Sequence, residues 1–317
     1  MAEPAELMQC MEVWGGNQPV ASAVVMAGLE AWVFSKPFGN AGSGGDVYYV
    51  SSCATGRITR LLLADVAGHG AGAGDLAIVL RRLMRQFVNQ LDQTRFVRLM
   101  NSHFTELSEA GVFATAVVTT YFATTNHLSL CNAGHPPPLI YRAASGRWEF
   151  LERVADTTSL PHDLPLGIID ALDYTEFEVG LRKGDMVLCY TDSLIEARFP
   201  NGEQLGTAGL LQVVNALDVS QPGDLIAALL AAIIARTGDQ GLASDDVTAL
   251  LFRAKGDTGH TGWRKWVAAP IVLSRGLFRS ATARGEPIPW PDFTIANIGG
   301  AMLRPLGRLW RGPAARR

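Results

Sequence analysis

Two near-continuous apolar runs, residues 61–66 and 186–191, each carry an aspartate where they end: Asp65 in the first, Asp192 directly after the second. A short apolar run bounded by turn residues reads as a buried strand. Around these two, strand and helix signals alternate in blocks. Residues 48–52, 115–122, 128–132, 138–142 and 247–252 read as further strands, broken by turns at Thr125-Asn126 and over 134–137. Residues 72–91 place Leu76, Val79, Leu80, Leu83 and Phe87 at three-to-four spacing, which predicts a long helix. Helices are also expected over 96–108, 208–217 and 222–236, the last with Ser220 as its cap and Pro222 in its first turn. Strands exceed what one sheet needs, and the helices fall in pairs between strand clusters. That pattern suits an α+β sandwich better than a regular βαβ array.

No linker divides residues 1–254, and a hydrophobic fraction of 48% with 18% charged residues provides for a full core. Beyond Lys255 the character changes. Residues 255–317 hold eleven Lys or Arg against three Asp or Glu, whereas the other residues hold 16 against 27. In a helical projection of 263–279, Trp263, Trp266, Val267, Ile271, Leu277 and Phe278 gather on one side, with Arg264, Lys265, Arg275 and Arg279 on another. Such a segment can lie on an anionic membrane or dock on an acidic partner; the plainer reading is a solvated tail, or one packed on the acidic body. No motif supports nucleic-acid binding. The four cysteines are scattered singly and read as reduced thiols rather than zinc ligands or a disulfide frame. The N-terminus lacks a signal-peptide pattern, and the longest apolar stretch, 225–234, is too short to span a bilayer, so the expected location is the cytoplasm.

Four acids share one placement. Asp46 follows Gly44-Gly45 at a strand start, and Asp65 precedes Val66-Ala67-Gly68-His69-Gly70. Asp192 ends Cys189-Tyr190-Thr191, and Asp245 with Asp246 opens the last strand. Singly, each reads as a turn cap. Jointly, they stand where buried strands meet loops, so a sandwich gathers their carboxylates at one edge. Clustered carboxylates repel unless a cation neutralises them, and magnesium or manganese suits an all-oxygen site. There is no cysteine phosphatase loop and no Gly-x-Ser-x-Gly elbow. The glycine-rich 68–74 stretch can turn N–H groups to a phosphate, but it lacks the lysine and spacing of a P-loop.

An ordered set of segments carries a resemblance. It comprises Gly44-Gly45-Asp46, Ala64-Asp65-Val66-Ala67-Gly68-His69-Gly70, Phe113-Ala114-Thr115-Ala116 and Asn132-Ala133-Gly134-His135-Pro136-Pro137. It continues with Leu164-Pro165-Leu166-Gly167, Gly184-Asp185, Tyr190-Thr191-Asp192-Ser193-Leu194-Ile195-Glu196-Ala197 and Asp245-Asp246-Val247-Thr248. In this the chain resembles the PPM family of metal-dependent protein phosphatases (protein phosphatase 2C-like), in its bacterial SpoIIE branch. The resemblance implies an αββα sandwich of two antiparallel sheets flanked by helices, spanning residues 41–254, with 1–40 an N-terminal extension and 255–317 a basic tail.

The resemblance further implies two divalent cations, Mn2+ or Mg2+, held or bridged by Asp46 and Asp65, with the Val66 carbonyl, Asp192 and Asp245 completing the site; Asp246 matches a more structural position. Two ions about 3.5–4 Å apart would activate a water against the phosphate, so no protein nucleophile is needed. Asp46, Asp65 and His69 are the residues assigned to catalysis. His69 is the nearest candidate general acid, the competing reading being a turn histidine that orders its loop. His135 is read as shaping a rigid turn. The implied reaction is hydrolysis of phosphoserine or phosphothreonine on a regulatory protein, of the anti-sigma-factor antagonist type, phosphorylated by a cognate kinase. Two departures stand out: Ser193 replaces a glycine, and Tyr49 stands where many relatives carry another acid. They support the alternative, a catalytically silent module that binds a phosphoprotein.

Overall fold

A computed structural model of the chain describes residues 6–7, 13–52, 58–68, 71–87, 89–90, 92–107, 111–152, 163–170, 172–238, 242 and 245–256. In chain order the elements begin with β1 (Glu6–Leu7), β2 (Val13–Gly16), β3 (Val20–Met26), β4 (Leu29–Lys36), β5 (Asp46–Ser52) and β6 (Ile58–Val66). Two helices follow, α1 (Ala71–Phe87) and α2 (Gln93–Leu107), then β7 (Ala114–Phe122), β8 (His127–Ala133), β9 (Leu139–Arg142) and β10 (Arg147–Phe150). The rest are β11 (Phe177–Gly180), β12 (Met186–Tyr190), α3 (Ser193–Glu196), α4 (Gly206–Asn215), α5 (Pro222–Thr237) and β13 (Val247–Ala254).

The strands form two sheets. One has seven strands in the order β1-β3-β4-β13-β12-β9-β10, the other six in the order β11-β8-β7-β6-β5-β2. Neighbours pair antiparallel throughout except β1 with β3. Three apolar layers follow from the alternation of side chains along buried strands. In β6, Leu61 and Leu63 enter the core between the sheets with Leu250 and Phe252 of β13. Leu62, Ala64 and Val66 turn the other way and pack under Leu80, Met84, Phe96 and Phe104 of α1 and α2. The outer face of the seven-stranded sheet is covered by α4 and α5 through Leu210, Val214, Leu225 and Leu229. The fold is therefore the expected αββα sandwich.

The stretch before residue 41 differs from the expected extension. It supplies β2, β3 and β4, and β4 lies inside the seven-stranded sheet, paired with β13 along its whole length. The physical reason is visible in β4, where Leu29, Ala31, Val33 and Ser35 alternate inward with only partly buried partners. Small and polar residues dilute that period in the sequence. A two-residue turn at Ala27-Gly28, with Gly28 at φ 78°, closes the β3–β4 hairpin. Ser220 also differs from expectation. Its hydroxyl and N–H bond Asp218 at 2.7 and 2.9 Å, while Gln221 caps α5 without a side-chain bond. Residues 257–317, including the amphipathic segment 263–279, lie outside the described residues, as do Cys10 and Cys53.

Candidate metal centre

Strand register gathers the acids. Asp46, the first residue of β5, pairs directly with Asp65 near the end of β6, and Asp65 pairs in turn with Thr115 of β7. Both aspartates fall in phase with Tyr48 and Leu63, which face the opposite sheet. From that sheet, Thr191 follows β12 and donates from Oγ1 to Asp46 Oδ2 at 3.0 Å. Thr191 is fixed in turn by the Thr248 N–H, which donates to its Oγ1 at 3.0 Å, and by its own N–H on the Thr248 carbonyl, also 3.0 Å. Thr248 Oγ1 stands 2.9 Å from Ser35 Oγ on β4. This hydroxyl chain ties the two sheets together beneath Asp46.

Electrostatics agrees with the register. Asp46 is 2% exposed, and burial first, then the charges of Asp246 and Asp192, raise its pKa to about 8 against hydrogen bonds from Thr248 and Thr191. Asp65 is pushed up to about 9, by burial and then by Asp46, Asp192, Asp245 and Asp246. Asp192 is raised by burial, Glu196 and Asp245. The charges of Asp46, Asp192, Asp245 and Asp246 thus all act on Asp65. Among the described residues no three Asp, Glu, His or Cys side chains are grouped closely enough to hold one metal ion. The donors at this edge are all oxygens, the kind that suits hard cations such as magnesium, which keep waters or phosphate oxygens in part of their shell.

Asp246 has a different task. Its carboxylate accepts the Phe38 N–H at 2.6 Å and the Gly45 N–H at 2.5 Å, while its own N–H donates to Asp245 Oδ1 at 2.8 Å. A Cβ on Gly44 would stand 2.5 Å from both Asp246 carboxylate oxygens, and one on Gly45 would meet the Val66 carbonyl at 3.0 Å. Two glycines before Asp46 are therefore a packing requirement. His69 lies outside the described residues; Gly68 before it is exposed with φ 98°.

Of the two departures only Ser193 lies beside the site, its Oγ 3.3 Å from Thr191 Oγ1. Tyr49 points to the helix side of its sheet, packed with Leu62, Ala64 and Phe96, away from Asp46. Ser193 opens α3 buried, and it is not among the non-glycine residues of positive φ, which are Asn126 and Asp163 among the described residues. Other resembling segments build the frame. Gly134, at φ 68°, lies where a Cβ would be 2.5 Å from Pro165. The Asn132 side chain closes the His135 turn with two bonds, at 2.7 and 2.9 Å. His135 Nδ1 stands 2.8 Å from Thr115 Oγ1, and burial holds its pKa down at about 3. Thr191 and Thr248 stand in the resembling segments with no role assigned to them, and Ser35 stands outside those segments. Their one signal is a hydroxyl interrupting an apolar strand beside an acid.

Residues 55–255 match the profile of the family described as Stage II sporulation protein E (SpoIIE). The chain belongs to the SpoIIE family. The match includes Asp65, Asp192 and Asp245 and begins after Asp46. Among curated relatives, the Phosphoserine phosphatase RsbU of Bacillus subtilis (strain 168) is 25% identical over 144 residues, which is 45% of this chain and 41% of that protein. The chain thus spans less than half the length of that relative. Among solved structures, the RsbU and RsbW domains of Rv1364c from Mycobacterium tuberculosis superpose with a TM-score of 0.62 at 23% identity, covering 84% of this chain and 74% of that one. The PP2C phosphatase domain of SpoIIE from Bacillus subtilis, solved with a fragment of its regulatory domain, gives 0.59 at 17% identity over 78% and 64%. Membership places the chain in a phosphatase family with the PP2C-like fold. No helix of the described residues is long and apolar enough to cross a membrane.

Proposed function

We propose that this chain is a Mn2+- or Mg2+-dependent phosphatase that hydrolyses phosphoserine or phosphothreonine on a regulatory protein. The observation that carries this reading is the direct pairing of Asp46 with Asp65, two carboxylates that repel unless protons or bound cations neutralise them. When bound, two divalent ions lower the pKa of water into the neutral range and neutralise phosphate charge. The protein supplies the rest. Asp46 and Asp65 bind from the six-stranded sheet, with the Val66 carbonyl beside them; Asp192 and Asp245 bind from the seven-stranded sheet. Thr191 orients Asp46 by holding Oδ2. Asp246 fastens the Gly45 peptide, so Asp46 cannot withdraw. His69, on the turn after Asp65, is the candidate to protonate the leaving alkoxide.

The substrate class follows from kinship: RsbU is named a phosphoserine phosphatase, and the neighbour from Mycobacterium tuberculosis joins an RsbU to an RsbW domain. A phosphorylated regulator of the anti-sigma-factor antagonist type, with a cognate kinase, is the corresponding partner set here, in the cytoplasm or at a membrane surface reached through the basic tail. The test is turnover of p-nitrophenyl phosphate and of phosphopeptides with Mn2+. Metal-dependent turnover that Asp65→Asn abolishes is expected; turnover that persists with chelator, or in Asp65→Asn, would overturn the reading.

A further inference from the structure

The Trp14-Gly15-Gly16-Asn17 segment lies outside the SpoIIE match, yet it is built into the metal edge. Gly15 lets β2 press against β5: a Cβ there would stand 2.7 Å from the Tyr48 carbonyl. Trp14 seals the contact edge-on against the Tyr48 ring, centroids 5.3 Å apart. The pairing of β2 with β5 delivers Asn17, 7% exposed, to the loop before Asp46. The Asn17 carbonyl accepts the Gly44 N–H at 2.9 Å, and its Nδ2 donates to the Gly44 carbonyl at 3.0 Å and to the Gly74 carbonyl of α1 at 3.3 Å. Both backbone polar groups of Gly44 thus rest on one residue. Gly45 is held equally hard, its N–H on Asp246 and its carbonyl accepting the Val66 N–H at 3.3 Å.

We propose that Asn17 is a positioning residue for the metal centre: it fixes the Gly44-Gly45 loop to the start of α1 and so sets where Asp46 stands relative to Asp65. α1 begins six residues beyond Asp65, so its first turns and the loop bearing Asp46 flank the same site. A one-residue clamp between them resists separation when the two carboxylates repel each other. Partners that orient metal ligands in this way commonly account for about 10- to 100-fold in affinity. The proposal rests on the reading of Asp46 and Asp65 as metal ligands.

The experiment compares the full wild-type chain with Asn17→Ala, Asn17→Asp and Trp14→Leu, below the melting temperature of each. Mn2+ affinity is read from the EPR signal of free Mn2+, and hydrogen exchange is followed in the peptide covering residues 41–48 without metal. Asn17→Ala should weaken Mn2+ binding about tenfold and speed exchange in that peptide. Trp14→Leu loosens packing but leaves the clamp, so its Mn2+ affinity should stay within about twofold of wild type. Asn17→Asp serves if the alanine variant does not fold. It keeps the shape but cannot donate, and its added negative charge would by itself attract Mn2+; weaker binding therefore reports lost positioning. Wild-type affinity in Asn17→Ala, tighter binding in Asn17→Asp, or an equal loss in Trp14→Leu would each overturn the proposal. A wild type that takes up no Mn2+ would instead overturn the metal reading on which it rests.

Discussion

Loading the site with Mn2+ should expel protons. With Asp46 at about 8 and Asp65 at about 9, the cation-free protein keeps both carboxyls largely protonated at pH 6.5. A divalent ion binds the ionised form, so uptake releases between one and two protons, and affinity climbs by about tenfold per pH unit for each proton released. Raising the pH from 6.5 to 7.5 should therefore tighten binding by roughly 10- to 100-fold. The stability of the cation-free protein should run the opposite way. Both pKa values lie above the ordinary 3.8, so the folded state binds more protons than the unfolded one through this interval. Stability that is full below about pH 4 is then lost as pH rises toward 8 to 9, at up to about 1.4 kcal/mol per pH unit per carboxylate. The cation-free protein should melt lower at pH 8 than at pH 6, and saturating Mn2+ should offset that loss. Titration calorimetry in two buffers of different ionisation enthalpy counts the protons directly. No proton release, with an affinity flat between pH 6.5 and 7.5, would refute the reasoning.

Further substitutions probe the frame. Thr191→Val keeps the side chain's shape but removes the donor to Asp46 and strands the Thr248 N–H; chemical denaturation should show a loss of about 1–3 kcal/mol, and Mn2+ binding at pH 7 should weaken. Gly44→Ala drives a methyl into the Asp246 carboxylate, which cannot swing aside without abandoning the Phe38 and Gly45 N–H groups; a stability loss of about 1–3 kcal/mol is expected, measured the same way. Leu80→Ala opens a cavity between α1 and the six-stranded sheet, away from the acids; it should cost about 2–5 kcal/mol of stability and leave the metal affinity of the folded fraction unchanged.

Legibility in the sequence tracked burial. β6 and β12 declare themselves because both faces of each are covered, one by the opposite sheet and one by helices, so β12 and residues 61–64 of β6 form unbroken apolar runs. β3 and β4 hide because Ser22 and Ser35 fall on their inward faces while Trp32 and Phe34 stand outward, and β10 and β11 because only one or two residues of each touch a core. At the site, the four acids were readable as strand ends. Their fastening was not. The bond from Thr191 to Asp46 joins residues 145 apart, and the clamp of Asn17 on Gly44 joins residues 27 apart; neither leaves a local pattern. Tyr49 shows the complementary error: its position in the motif suggested a metal contact, but one step of strand alternation turns it to the opposite face.

The most direct measurement is anomalous X-ray diffraction from crystals soaked in Mn2+. The account predicts two peaks at the sheet edge, bridged by Asp46 and Asp65 and flanked by Asp192 and Asp245. A single peak elsewhere, or no Mn2+ among these carboxylates at millimolar concentration, would contradict it.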